Sequence, residues 1–362
     1  MKAKIFDNPC GECDYGITQC RKDHKQLNCD IYNKYLKEFN EDKEKRYIDN
    51  LKEINVLDQH ITDQYAIYHG DSCEVLKGIP DNTIHYSIYS PPFIGLYTFS
   101  NSERDLSNCV DGNEFFKQFQ FIGEELHRVI MPGRLMSVHC MELSTSLSAN
   151  GYIGLIDFPG DIIRMFQKIG FIFHSRVTIW KDPLLAAVRT KTHALLHRTI
   201  VNDSSMCRQG LADTLLTFRK VGENPEAISH PEGFTDYIGE NDLKLEKGDI
   251  KSHHIWRRYA SPVWMDINQT ETLQHRSARE EKDEKHISPL QLDVIRRALE
   301  LWTNKGDVVL SPFGGIGSEP VTAIEMGRKA IAIELKESYY KQMKANCKNA
   351  VIKLKNNGLL NE

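Results

Sequence analysis

The stretch from Val308 to Glu334 constrains this chain more than any other. Val308-Val309-Leu310 reads as a short apolar strand, Phe313-Gly314-Gly315-Ile316-Gly317-Ser318 as a glycine-rich turn, and Val321 to Met326 as a helix. Ala330-Ile331-Ala332-Ile333 then forms a second strand that ends at Glu334. Strand, helix and strand in that order imply a parallel sheet, and a parallel sheet needs helices on its faces, so the expected class is α/β. Glycine permits a tight turn and lets a ligand approach the backbone. An acid at the end of the next strand can accept hydrogen bonds from ribose hydroxyls. A nucleoside-containing cofactor at the carboxyl ends of parallel strands fits this pattern, although Gly315 and Gly317 lack the third glycine of the full dinucleotide fingerprint. The plain alternative is a turn that is merely tight, with Glu334 a solvated acid.

Upstream the same alternation recurs. Ala66 to His69 is predicted as a strand ending at Gly70-Asp71, and Thr83 to Tyr89 as a strand stopped by Pro91-Pro92. Phe115, Phe119, Ile122, Leu126 and Val129 recur at helical spacing, with Pro132-Gly133 expected to close that helix. Leu135 to Cys140 and Phe171 to Trp180 read as further strands. Four regions follow: a cysteine-bearing extension over 1–46 with a charged helical stretch from Tyr32 to Arg46, a regular half over 47–183, an irregular stretch over 184–285, and a second regular half over 286–362. The last begins with Ser288-Pro289-Leu290-Gln291, read as a capping box with Ser288 as N-cap, and Leu292, Ile295, Leu299 and Trp302 form its apolar face.

Ser90-Pro91-Pro92-Phe93 is the second chemical constellation. Two prolines remove two backbone donors and stiffen the chain as it leaves its strand. Such a segment can aim the Ser90 hydroxyl and the Pro91 carbonyl at one point as acceptors, with Phe93 as a flat apolar face. That suits a planar ligand carrying an amino group, such as a flipped base. The alternative is an ordinary strand-ending turn.

Together the two constellations resemble the DNA amino-methyltransferases, and the order tetrapeptide, irregular region, glycine turn resembles their β group. Gly70-Asp71, Ile79-Pro80-Asp81 and the run from Arg128 to Arg134 are similar to phage and prophage modification methylases. The resemblance implies a Rossmann-like fold with permuted motif order and an inserted target-recognition region over 184–285. It implies S-adenosylmethionine as cofactor, held by Phe313, Gly315, Gly317, Ser318 and Glu334, with Asp71 nearby. It implies that Ser90, Pro91, Pro92 and Phe93 hold the target amine. Ser in the first position favours cytosine N4 over adenine N6. One departure stands out: Ser311 occupies the place of the family's aspartate before Pro-Phe, and Glu319 or Asp71 are the acids available to compensate.

Positioning an amine against a methyl donor requires no cysteine nucleophile. The polar loop from Tyr97 to Asn108, with Arg104 and Asp105, is a candidate substrate cover. Arg189, Lys191, His193, His197, Arg198, Arg257 and Arg258 are candidate DNA contacts, whereas Tyr259 to Asn268, with Trp264, fits a structural role equally well. The net charge of −4 excludes a purely electrostatic nucleic-acid binder, though a locally basic cleft suffices for phosphates. Rivals are an RNA base methylase, a silent DNA-binding protein that lost cofactor binding through Ser311, and a generic nucleotide binder.

Nine cysteines in 362 residues, an odd number with five scattered singly, suit a reducing cytoplasm. Cys10, Cys13, Cys20 and Cys29 together match a tetrahedral zinc site, with His24 as a substitute ligand and four free thiols as the alternative. No apolar run reaches membrane-span length and Met1 to Ile5 lacks a signal-peptide core, so a cytoplasmic monomer or homodimer is expected.

Overall fold

The computed structural model describes residues 56–92, 106, 109, 112–145, 147–184, 197–206, 208–240, 250–273 and 289–356. These run through β1 (Asp58–Ile61), β2 (Tyr65–His69), α1 (Ser72–Lys77), β3 (Ile84–Tyr89), α2 (Gly112–Val129), β4 (Ile130–Cys140), β5 (Leu143–Ser144), α3 (Leu147–Asn150), β6 (Leu155–Ile156) and α4 (Phe158–Ile169). They continue with β7 (Phe171–Ile179), α5 (His197–Asn202), β8 (Asp213–Lys220), α6 (Lys251–Tyr259), β9 (Val263–Trp264), α7 (Leu292–Trp302), β10 (Val308–Ser311), α8 (Ser318–Glu325), β11 (Lys329–Glu334) and α9 (Glu337–Asn356).

Among the described residues the main sheet has the order β1-β2-β11-β10-β3-β4-β8-β7-β9. Strands β2, β11, β10, β3 and β4 are mutually parallel, β8 is antiparallel to both β4 and β7, and β1 is antiparallel to β2. The α/β class is as expected. Side-chain alternation divides the core between two faces. Tyr65, Ile67, Tyr86, Ile88, Val309 and Ala332 pack with Ile295 and Leu299 of α7, Ile324 of α8 and Met343 of α9. The opposite face is aromatic: Phe115 and Phe119 of α2 and Phe158 and Phe166 of α4 meet edge-on or tilted, and Phe166 lies 4.9 Å from Phe218 of β8.

Three expectations need correction. Pro132-Gly133 does not follow the helix as a closing loop, because β4 starts directly after Val129. Pairing of β3 with β4 jumps from Ile84↔Ile130 to Tyr86↔Leu135, so one residue of β3 faces four of β4. A bulge accommodates a proline that has no donor, and Gly133, at φ +74°, admits no Cβ because Asn224 N would lie 2.3 Å away. Helix α7 starts at Leu292 with Gln291 as N-cap and no side-chain cap bond, so the capping box does not form as read; Ser288 lies outside the described residues. The stretch over 184–285 is not wholly irregular either. It supplies β8, which lies inside the sheet between β4 and β7. Its polar residues hid it: Thr217 Oγ1 meets Ser137 Oγ at 2.9 Å, and Tyr86 OH donates to Ser137 at 2.6 Å, so buried hydroxyls satisfy one another. The helix read over Tyr32 to Arg46 lies outside the described residues.

Arg297 ties the later part of this stretch to α7. Fully buried, it donates through NH1 to Asp266 Oδ1 at 2.9 Å and through NH2 to Ile238 O. Its guanidinium lies 4.7 Å from the Tyr259 ring centre and 4.9 Å from that of Trp264. Tyr259 and Trp264 are therefore core residues here. Arg297→Ala strands the buried Asp266 carboxylate and should cost about 3–5 kcal/mol in urea unfolding. A loss under about 1 kcal/mol on this scale would show that the clamp is dispensable.

Candidate active site

Strand β10 lies at the point where the sheet changes direction. The chain leaves β10 through α8 to reach β11 on one side, and leaves β3 through α2 to reach β4 on the other. Among the described residues no connection crosses the gap between the carboxyl ends of β10 and β3, the kind of switch point at which open α/β sheets bind their ligands. Both constellations sit at that gap. Ser90 follows β3 and Phe313 follows β10; Ser87 Oγ donates to Leu310 O at 2.8 Å, and the Tyr89 ring packs 5.6 Å from that of Phe313. Phe119 buttresses Phe313 from α2 at 6.1 Å. Pro91 is buried and Pro92 half-buried, while Phe93 lies outside the described residues.

Three further residues complete the Ser90 end. His139, near the end of β4, places Nδ1 2.9 Å from Ser90 Oγ. Its Nε2 stands 3.0 Å from Asp213 Oδ2, and Lys181 Nζ lies 2.5 Å from the same oxygen. Burial works to raise the Asp213 pKa, but the neighbouring His139 and Lys181 charges prevail and hold it at about 2. In the neutral form of His139 an ionised Asp213 favours the proton on Nε2, which leaves Nδ1 as an acceptor. In that form Ser90 donates its one hydrogen to His139 and keeps its lone pairs available to a ligand. Sequence reasoning missed all three. The β3–α2–β4 crossover could have flagged His139, since it makes β4 the neighbour of β3. Asp213 lay in the stretch read as irregular.

At the other end, Gly317 N donates to Gly314 O at 2.8 Å to close the turn, and Gly314 N donates to Ile333 O at 2.7 Å. Glu334 accepts from Gly315 N at 2.7 Å and from Lys336 N at 2.8 Å. Gly315 has φ +52°, and a Cβ built there meets nothing within 4 Å, so the turn faces open space. Gly317, at φ +98°, starts α8 and brings it close to Met343. Ser318 is buried at the first position of α8. Ser311 Oγ is buried with no hydrogen-bond partner among the described residues. An open, glycine-lined turn with a carboxylate on one wall and an orphaned hydroxyl beneath fits a polar nucleoside cofactor. Asp71 has a structural duty: its Oδ1 accepts from Cys73 N at 2.8 Å at the start of α1. It follows Gly70, whose N–H donates to Glu334 O at 3.0 Å.

Cys10, Cys13, Cys20 and Cys29 lie outside the described residues, as do Arg104, Asp105, Arg189, Lys191 and His193. His197 and Arg198 are on α5; Arg257 and Arg258 are exposed on α6 beside exposed Trp256. A second group, His85, Glu226 and Asp307, brings its ligand atoms within 4.8 Å of one another. Val308 N donates to His85 Nδ1 at 3.1 Å, so Nε2 carries the proton, and Arg134 NH1 pairs with Asp307 at 3.1 Å. A protonated nitrogen and an arginine make this a charge cluster and not a metal site. No described helix is long and apolar enough to cross a membrane.

The DNA methylase family profile matches residues 84–345. The chain is 25% identical over 291 residues to the type II methyltransferase M.BglII of Bacillus subtilis, covering 78% of this chain and 67% of that protein. A DNA modification methylase of Thermus thermophilus, solved in complex with S-adenosyl-L-methionine and itself assigned only provisionally, shares the fold at TM-score 0.54 and 20% identity, over 80% of this chain and 96% of its own. PvuII DNA methyltransferase, cytosine-N4-specific, also has TM-score 0.54, at 16% identity, covering 83% and 97%.

The Asp213 pKa lies below its unfolded value of 3.8, so its stabilisation is complete above that pH and is lost as pH falls toward about 2. Asp213→Asn should lower unfolding free energy at pH 7 by on the order of 2 kcal/mol, and the gap to wild type should close in acid. A pH-independent gap in urea melts would contradict an ionised Asp213.

Proposed function

This chain belongs to the DNA methylase family, and on that footing we propose that it is a site-specific methyltransferase using S-adenosylmethionine. Its substrate is the exocyclic amine of a base flipped from duplex DNA, cytosine N4 in preference to adenine N6. The observation that carries this is the Ser90–His139–Asp213 chain standing beside the Phe313 turn. S-adenosylmethionine, when bound, supplies an electrophilic sulfonium methyl. Phe313, Gly315, Gly317, Ser318 and Glu334 are the residues to hold it, with Glu334 accepting from the ribose.

An exocyclic amine is conjugated with its ring and is a poor nucleophile. Ser90 Oγ and the Pro91 carbonyl accept its hydrogens, pull the nitrogen toward tetrahedral geometry and stabilise positive charge as it develops. As the amine loses a proton to Ser90 Oγ, the serine hydrogen passes to His139 Nδ1, and Asp213 stabilises the resulting imidazolium. Lys181 keeps Asp213 ionised for that task. Phe93 supplies the stacking face for the flipped base. The 184–285 stretch reads the target sequence, with Arg257 and Arg258 on α6 among its candidate contacts. The cysteine cluster binds a structural zinc, and the enzyme works as a monomer or homodimer in the cytoplasm of a bacterial or phage-infected cell.

Expression in a methylation-deficient host followed by single-molecule sequencing should reveal N4-methylcytosine at one recurring sequence. An unmodified genome, together with no S-adenosylmethionine binding by calorimetry, would favour a silent DNA binder. Phe313→Ala is expected to abolish cofactor binding. Ser90→Ala should spare binding and lower turnover by about a hundredfold; the reverse pattern would mean the two sites are misassigned.

A further inference from the structure

Ser311 leaves the cofactor turn without the acid that the family carries before Pro-Phe, yet the turn has a buried acid of its own. Glu319 lies in the first turn of α8, two residues past Gly317, and its side chain is only 5% exposed. Its own amide and the Glu334 carboxylate are the groups that act on it, and among the described residues no cation does. Helix α8 packs against α7, α9, β10 and β11; of the charges on those elements, Lys329, Lys348, Lys355 and Glu300 do not act on Glu319, and most of the others are paired elsewhere. Arg296 binds Glu271 and Asp293, and Arg297 binds Asp266. Lys341, Lys344 and Lys353 pair with Glu337, Asp58 and Glu325, and Lys336 lies over Tyr339. A buried carboxyl without a counter-ion is costly to ionise and favours its neutral form.

We propose that Glu319 is the acid that receives the positively charged methionine end of S-adenosylmethionine, in place of the aspartate missing at Ser311, and that it does so by releasing its proton to solvent as the cofactor binds. This rests on the assignment of the glycine turn as the cofactor site. The balance is simple: the O–H bond of the neutral carboxyl breaks, the proton leaves to water, and the carboxylate remains paired with the cation. Burial and the nearby Glu334 charge push the Glu319 pKa up to about 8, against the pull of its own amide. Below that pH the free protein holds the proton, so binding should tighten as pH rises through the range in which the ligand's amine stays protonated, below about pH 7. Glu334 is assigned to the ribose instead: its two oxygens accept from Gly315 N and Lys336 N and each keeps a lone pair for a hydroxyl.

The test is calorimetric titration of the full chain with S-adenosylmethionine at about pH 6.5, in phosphate and in Tris, whose ionisation enthalpies differ. There the ligand's own amine, with a pKa of about 7.7, stays protonated. Wild type should release close to one proton per cofactor bound. Glu319→Gln should release none and bind about tenfold or more weakly, with an unfolding midpoint no lower than wild type because the buried group is already neutral. Cofactor binding without proton release, or a Glu319→Gln variant that binds as wild type does, would overturn the role of Glu319 and leave the cofactor site standing. No binding to wild type would overturn both. The proton count on wild type needs no variant to fold.

Discussion

The parallel pairing of β10 with β3 is the constraint from which the rest follows. Each strand hands the chain to a crossover helix, and the two helices depart to opposite sides, so the carboxyl ends of these two strands border the same crevice. A glycine turn after one strand and a proline-stiffened segment after the other are thereby brought together, although more than two hundred residues of chain separate them. Tyr89, Phe119 and Phe313 seal the floor of that meeting point with aromatic contacts.

Two buried carboxyls near the crevice are driven in opposite directions by their surroundings. Asp213 is enclosed, but Lys181 and His139 touch it and keep it charged. Glu319 is equally enclosed, meets a like charge and no cation among the described residues, and is kept neutral. The first is suited to orient an imidazole and stabilise its protonation during turnover. The second is suited to wait for a cationic ligand. Divergent pKa values in one site commonly mark a division of labour.

The α/β class, the parallel order of β10 and β11, and the burial of Phe115, Phe119, Ile122, Leu126 and Val129 were legible because apolar periodicity and glycine positions report directly on local geometry. The two motifs were legible for the same reason. Long-range register was not. Whether Pro132-Gly133 ended a helix or bulged from a strand depended on how β4 paired with β3. The place of β8 depended on Thr217 finding Ser137 across the sheet. His139 and Asp213 became functional candidates only once two strands from different regions stood side by side, a relation that no local pattern encodes.

A crystal structure of the full chain with S-adenosylhomocysteine tests the shared crevice most directly. The account predicts the thioether sulfur in the gap between the Phe313 turn and Ser90-Pro91, with the ribose against Glu334. A ligand bound elsewhere, or one whose sulfur faces away from Ser90, would contradict it.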